Sequence, residues 1–465
     1  MNTRPLTTRA AEVTAGQSGQ PASPGVTADV LIVGAGPTGL AAAVELRRLG
    51  AGSVVVADRD DEAGGIPRHS AHTGFGARDL RRVLTGPGYA RYYADAAAAA
   101  GADIRLGTTV TGWGGLSASD PPRVGGLPRA GGLHSAGGQH GATLTSSSGV
   151  DTVTARAVLL ATGCRERPRT ARVVPGDRPP GVMTTGELQR RVYLGGQELA
   201  GRALVVGAEH VSFSAMVTLA HAGAEVVALV TDRPRHTSYS AFALGASWRW
   251  HVPVWSCTAV RRVSGRGRLD GAELADLLTG EARFVPCDLL VFTGDWIPDH
   301  ELARAAGLDM DPGTRGPAVD TALATSVPGV FAAGNLVHAA ETADVAALGG
   351  RHAARGIAAF LGSGAGRGAR RPAPEPVRLR VTAEAPLLWI APNAVRAGGP
   401  APPRGRFVLR SDIFARLARL EVWQDGRRLA TGVSLGMKPD RPARLGASWT
   451  GKADPGGGPV TVRLA

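Results

Sequence analysis

The sequence predicts an α/β protein with two Rossmann-like dinucleotide-binding domains and a small C-terminal all-β domain. Three observations carry this expectation. A strand–glycine turn–helix–strand unit occupies residues 29–58 and recurs, with altered glycines, at residues 204–230. Two later apolar runs, Ala157–Gly163 (AVLLATG) and Thr325–Asn335 (TSVPGVFAAGN), read as strands ending in small-residue turns. Beyond residue 376, short alternating strands separated by Gly, Pro and Asp replace the α/β pattern.

In the first unit, Asp29–Val33 (DVLIV) is a doubly apolar run, as a buried parallel strand should be. It enters Gly34-Ala35-Gly36-Pro37-Thr38-Gly39, then a helix over Leu40–Leu49, then Ser53–Ala57 ending in Asp58. Gly34 permits the tight turn and Gly36 lets the backbone approach a pyrophosphate. Gly39 lets the helix pack on the strand, and the helix start offers its dipole to the phosphates, with Pro37 and Thr38 in the turn. Asp58, with Arg59 beside it, stands where a carboxylate bonds a ribose hydroxyl. Gly64 and Gly65 follow and allow the chain to pass close over a bound cofactor, with Arg68 just beyond.

The second unit runs from Leu204–Val206 through Gly207-Ala208-Glu209-His210-Val211-Ser212 to Glu225–Val230. Glu209 replaces the second glycine and Ser212 the third. A side chain there blocks backbone approach to a pyrophosphate, and a carboxylate adds like-charge repulsion. Asp232 at the strand end suits NAD, while Arg233 and Arg235 suit a 2′-phosphate. The fold is expected; NAD(P) binding by it is left open, with a purely structural domain as the other reading.

Composition removes several classes. The chain has 465 residues, 43% apolar and 20% charged, which argues against wholesale disorder. A net charge of +13 raises a nucleic-acid or anionic-membrane reading. Yet only Lys438 and Lys452 among the 52 cations are lysines, and no nucleic-acid motif or aromatic interleaving accompanies the arginines. The charge therefore implies acidic partners or counterions and no nucleic acid. Residues 1–26 lack the apolar core of a signal peptide and read as a disordered tail. No run approaches about 20 apolar residues, so no membrane insertion is expected. Cys164, Cys257 and Cys287 form no C-x-x-C pair, which argues for the reducing cytoplasm and against a metal site or a redox dithiol.

These motifs resemble the flavoproteins with two dinucleotide-binding domains, the pyridine nucleotide-disulfide oxidoreductase superfamily. Gly64–Gly76 (GGIPRHSAHTGFG), Arg82–Tyr89 (RVLTGPGY), Val182–Gln189 (VMTTGELQ) and Gly334–Ala346 (GNLVHAAETADVA) point to one branch of it. That branch is the FAD-binding subunits of amine- and imino-acid-oxidising complexes: sarcosine oxidase alpha, opine oxidase, dye-linked proline dehydrogenase and hydrogen cyanide synthase. The resemblance covers about residues 27–360. It implies a discontinuous FAD domain over 27–178 and 287–362 around an NAD(P)-binding-like domain over 179–286. A linker over 363–376 and the β domain over 377–465 follow.

The resemblance also implies site residues. FAD would rest on Gly34, Gly36, Pro37, Thr38, Gly39, Asp58, Arg59, Gly65 and Arg68, with Ala161, Thr162 and Gly163 at the adenosine end. Gly334 and Asn335 would face the ribityl chain, where the family has Asp; an Asn can still bond a hydroxyl. Thr342 opens a helix whose dipole would face the flavin pyrimidine. His69, His72 and His338 are the candidate bases for an amine that must be neutral before it loses hydride; the other reading is that they bond backbone or flavin. Arg68 is equally open to a substrate carboxylate, a cofactor phosphate or a surface acid, and Thr184 and Thr185 to the flavin edge or to turn capping. Cys164 reads as a structural thiol.

The expected activity is an FAD-dependent oxidoreductase acting on a small-molecule amine or amino or imino acid, or relaying its electrons to or from a second oxidoreductase subunit. The rivals are an NAD(P)H-dependent flavin reductase and an FAD-holding scaffold. The C-terminal region, with a hairpin signal at Asp425-Gly426, predicts a small antiparallel sandwich or barrel of about six strands that docks a partner or covers the FAD domain.

Overall fold

A strand apolar on both faces must lie inside a sheet, and Val26–Val33 does so in this computed structural model, which describes residues 26–114, 139–238, 251–363 and 378–465. The expected N-terminal tail up to residue 25, the tip of the Gly-rich 112–150 segment and the 364–376 linker lie outside the described residues.

Parallel strands Asp103–Arg105, Val54–Ala57, Val26–Val33 and Gly149–Leu160 lie side by side, with Leu31 between Val55 and Val158. The Gly149–Leu160 strand divides its outer edge. Its first half takes His140–Ser146 in antiparallel pairing, and Val158–Leu160 take Val330–Ala332 in parallel. The late strand thus closes the first sheet, making that domain discontinuous. The helix Ala343–Gly362 then packs on Pro37–Arg48. At Gly350 a Cβ would lie 2.0 Å from the Thr38 carbonyl oxygen, so only glycine admits this approach.

The second sheet is parallel throughout: Val182–Thr184, Leu289–Phe292, Gly201–Val206, Ala224–Val230 and Val254–Trp255 in spatial order. A three-stranded antiparallel sheet (Thr258–Ser264, Gly271–Asp276, Ala282–Pro286) completes that domain. Here the boundary at residue 287 is corrected. Leu289–Phe292 pairs inside the second sheet, so the return to the first domain comes after Phe292. The run is apolar on both faces, and periodicity alone does not say which of two parallel sheets will bury it. Cys164–Glu166 and Trp296–Pro298 pair where the chain crosses out and back.

The C-terminal region forms two sheets, five strands against three. It departs from the six-strand antiparallel expectation twice. Ala394–Arg396 and Arg427–Met437 are additional strands, and Arg378–Ala383 pairs in parallel with Val460–Leu464. The Arg427–Met437 pattern is obscured in the sequence by Gly432, Gly436 and an Arg-rich start. Asp425-Gly426 does turn the hairpin between Ala415–Gln424 and Arg427–Met437, both at positive φ (48° and 75°) as a primed two-residue turn requires. Phe407 and Trp449 are fully buried in this core with ring centroids 4.9 Å apart, an arrangement that adds about 0.5–1.5 kcal/mol beyond area burial. Among the described residues no helix is long and apolar enough to cross a membrane.

Candidate functional site

The Gly34–Gly39 turn sits at the carboxyl end of the first sheet. A Cβ at Gly39 would lie 1.9 Å from the Gly34 carbonyl oxygen, whereas one at Gly36 meets nothing within 4 Å. Gly39 is thus spent on packing, and Gly36 leaves an open backbone face. Pro37 begins the helix, where its missing N–H costs nothing. That open face at a helix N-terminus fits a dinucleotide pyrophosphate.

Around it, Asp58 accepts from Ala35 N at 2.6 Å and from Asp60 N at 2.9 Å, which leaves lone pairs for a hydroxyl. A Cβ at Gly65 would lie 3.0 Å from Gly36 Cα, and one at Gly334 2.2 Å from Thr38 Oγ1, so these turns close around the cradle. Thr38 Oγ1 donates to the Ala346 carbonyl at 3.2 Å. Ala161 N bonds Val33, and Thr162 Oγ1 donates to the Asp299 carbonyl at 2.7 Å, while Asp299 N bonds the Gly163 carbonyl. Arg59 is largely exposed, 3.9 Å from the Asp299 carboxylate.

Other candidates are committed within the protein. Arg68 donates to Glu62 and Asp60, the surface-acid alternative. Asn335 clasps its own loop: Nδ2 donates to the Glu341 carbonyl at 3.2 Å and Oδ1 accepts from Glu341 N at 2.8 Å. An amide does both where a carboxylate could only accept, which gives Asn a reason to stand there. Thr342 precedes the long helix and bonds Asp344. Arg78 donates to Thr342 Oγ1 at 3.0 Å and reaches Asp344 at 3.3 Å. Thr184 caps its helix, accepting from Glu187 N at 3.4 Å, and Thr185 is buried.

The three histidines have different neighbours. His72 Nδ1 lies 2.9 Å from the Thr73 carbonyl; a carbonyl only accepts, so Nδ1 donates and Nε2 is the ring nitrogen left to face other groups. His72 stacks on Phe75 and faces His210 of the second fold, whose own proton affinity is lowered by burial and then by His72. Burial, followed by the positive charge of Arg190, pushes His69 down to about 4. Burial also pushes His338 down to about 4, and its ring lies 5.3 Å from Trp389 of the C-terminal domain. Both are therefore neutral at pH 7. Burial raises the Cys164 thiol well above its ordinary range, as suits an unreactive sulfur. Sequence reasoning missed His210 and Arg78, because their roles come from neighbours distant in the chain.

The second cradle is filled from within. A Cβ at Gly207 would lie 2.6 Å from Glu209 Oε2, and one at Gly294 2.6 Å from Glu209 Oε1, so the carboxyl group is wedged between the two turns. Glu209 is the residue before the helix His210–His221, at the end where a dinucleotide fold receives a phosphate, and its side chain makes no hydrogen bond to a backbone N–H of the first turn. Burial holds this carboxyl above the ordinary range. Nearby, Glu166 accepts from Gly186 N at 2.8 Å and is pushed up to about 7, chiefly by burial. The C-terminal domain covers the other half of the groove. Arg233 pairs with Asp412, Arg235 lies over the Phe414 ring at 4.5 Å, and Thr237 Oγ1 donates to Asp440 at 3.3 Å.

Residues 28–350 match the profile of a family described as pyridine nucleotide-disulphide oxidoreductase. The alpha subunit of sarcosine oxidase from Corynebacterium sp. (strain P-1) is 30% identical over 374 residues, covering 79% of this chain and 36% of the relative. An opine oxidase subunit from Agrobacterium tumefaciens (strain Ach5) is 33% identical over 184 residues, 38% of this chain and 32% of the relative. The chain thus spans about a third of the length of the curated relatives it matches. Among solved structures, T. acidophilum thioredoxin reductase superposes with a TM-score of 0.55 at 22% identity, covering 72% of this chain and 99% of that one. L-proline dehydrogenase from P. horikoshii gives 0.50 at 17% identity, over 72% and 56%. At these identities the structures share the fold.

Proposed function

The chain belongs to the pyridine nucleotide-disulphide oxidoreductase family, an FAD-binding oxidoreductase family, and from that premise we propose that it oxidises a small amine or an amino or imino acid. Glu209 carries the choice of substrate. With its carboxyl group in the second cradle, a nicotinamide nucleotide meets a filled phosphate position, and the electrons enter from another donor. The relatives named sarcosine oxidase and opine oxidase support an amine as that donor.

In this reading Gly34, Gly36, Gly39 and the start of the Pro37–Arg48 helix hold the FAD pyrophosphate. Asp58, Arg59 and Ala161–Gly163 attend the adenosine half, and Gly65, Gly334, Asn335 and Thr342 the ribityl and flavin half. FAD, when bound, supplies the two-electron acceptor for the hydride that the substrate's α-carbon gives up. The protein's own part is to deliver a neutral amine. In the neutral ring His72 Nε2 bears a lone pair and takes a proton from the substrate ammonium, freeing the nitrogen lone pair that assists C–H cleavage. His69 and His338, neutral at pH 7, serve as uncharged walls. The imine that leaves is hydrolysed by water.

A second reading is that the chain relays electrons for a partner protein; it is favoured by the relatives being named as subunits and by the third of their length covered here. Anaerobic titration of the purified FAD-loaded chain with NADH, NADPH and a panel of amines separates these. Bleaching by amines alone supports the proposal. Bleaching only after a co-encoded subunit is added supports the relay, and rapid bleaching by NADPH sinks both.

A further inference from the structure

The C-terminal domain and the 334–349 segment line a pocket that opens to solvent. One wall carries Arg404, Arg406 and Arg444; the other carries His338, Glu341 and the apolar Val337 and Val345. Among the described residues, none of the three arginines has an ion-pair partner. Arg404 is held below its ordinary value, first by burial and then by the positive charges of Arg444 and Arg78. Behind the wall Arg410 is 8% exposed, with Nε and Nη2 unpartnered. Glu341 also has an unpartnered oxygen, and burial, against the pull of Arg444, Arg410, Arg78 and Arg404, keeps its carboxyl above the ordinary range.

Like charges gathered on one wall of a pocket repel, and the buried Arg410 behind them adds a cation with unpartnered nitrogens. An arrangement of this kind is relieved by an anion. We propose that this cavity binds the carboxylate of a small amino or imino acid, on the guanidinium groups of Arg404, Arg406 and Arg444. Planar guanidinium forks suit a carboxylate, the valines suit a short hydrocarbon body, and the lining has no Ser or Thr hydroxyl of the kind that commonly completes a phosphate site. The inference rests on the amine-oxidation reading for the identity of the ligand, but binding is measured without turnover.

The test is isothermal titration of the full-length FAD-loaded chain with pyrrole-2-carboxylate, its neutral carboxamide and inorganic phosphate. The carboxylate is expected to bind, and the carboxamide to bind about tenfold more weakly or worse, as the loss of a charge-assisted pair implies. Arg404→Met with Arg444→Met should cost the carboxylate a similar factor at unchanged melting temperature and flavin absorbance. Arg444→Lys should fall between, and Arg427→Met, on the exposed hairpin, should bind as the parent does. Equal binding of carboxylate and carboxamide, or unchanged binding by the folded double variant, overturns the proposal, as does phosphate binding in place of carboxylate. Flavin reduction tells the two readings apart. Reduction by amines with and without a carboxylate alike would overturn the substrate class and leave amine oxidation standing. Carboxylate binding with no amine reducing the flavin would leave the site and remove the oxidation reading.

Discussion

Arg233, just past the Ala224–Val230 strand of the second fold, places Nη1 2.5 Å from Oδ1 of Asp412 in the C-terminal domain. Arg235 beside it lies over the Phe414 ring. These are the positions from which a dinucleotide fold reads the adenosine ribose or its 2′-phosphate, and here a neighbouring domain occupies them.

With both halves of the groove filled, restoring nucleotide affinity should require clearing both. Glu209→Gly and Asp412→Ala are each expected to leave NADPH binding weak. The double variant should gain about tenfold or more over either single, the scale of one relieved like-charge contact. Fluorescence titration with NADPH measures this. A Glu209→Gly gain equal to that of the double variant would show that Asp412 blocks nothing.

Gly36 and Gly39 should part company. Gly39→Ala drives a Cβ to 1.9 Å from the Gly34 carbonyl and is expected to destabilise the apoprotein by at least the ~1–3 kcal/mol typical of overpacking. Gly36→Ala clashes with no protein atom, so the apoprotein should melt as the parent does while FAD affinity drops. Melting curves and FAD titration of the apoprotein check the pair.

Asn335→Asp, which restores the acid common in the family, should harm this chain. It replaces the N–H donor facing the Glu341 carbonyl with an oxygen, a loss of about 1–3 kcal/mol for an unsatisfied group. The expected signature is faster amide exchange over residues 336–342 and a lower melting temperature. A rise in stability would show that the amide clasp contributes nothing.

Burial raises Glu166 to about 7, so between its ordinary value of 4.5 and 7 the folded protein holds a proton that the unfolded chain has released. Stability from this group is complete below pH 4.5 and is lost as pH rises to 7, by at most about 1.4 kcal/mol per pH unit. The buried neutral His69 and His338 act in the opposite sense, losing stability as pH falls from 6.5 towards 4. Over the shared window of pH 4.5–6.5 the two histidines outweigh the one carboxyl, so Glu166→Gln should steepen the rise of melting temperature with pH in that window and remove the decline from 6.5 to 7.

Much of this architecture was legible because it is local. The strand Asp29–Val33, the turn Gly34–Gly39 and the acid Asp58 follow one another in sequence, and glycine at each place has a steric reason visible in the spacing alone. The defect at Glu209 was equally legible, since any side chain there obstructs the approach to a phosphate. What the carboxyl group does instead was not. That it is wedged between Gly207 and Gly294 depends on a turn brought back by the Leu289–Phe292 strand.

Sequence alone sufficed for the two dinucleotide folds, because these rest on periodicity and on glycine spacing within single supersecondary units, while the family and FAD followed from the resemblance of its motifs. What the individual side chains are free to do was settled only in three dimensions. Arg68 is tied to Asp60 and Glu62, Asn335 closes its own loop, and His338 is sealed beside Trp389. Arg233 is drawn to Asp412 on another domain. A guanidinium or an imidazole takes its role from the charge and solvent around it, and those are set by segments that meet only when the chain folds.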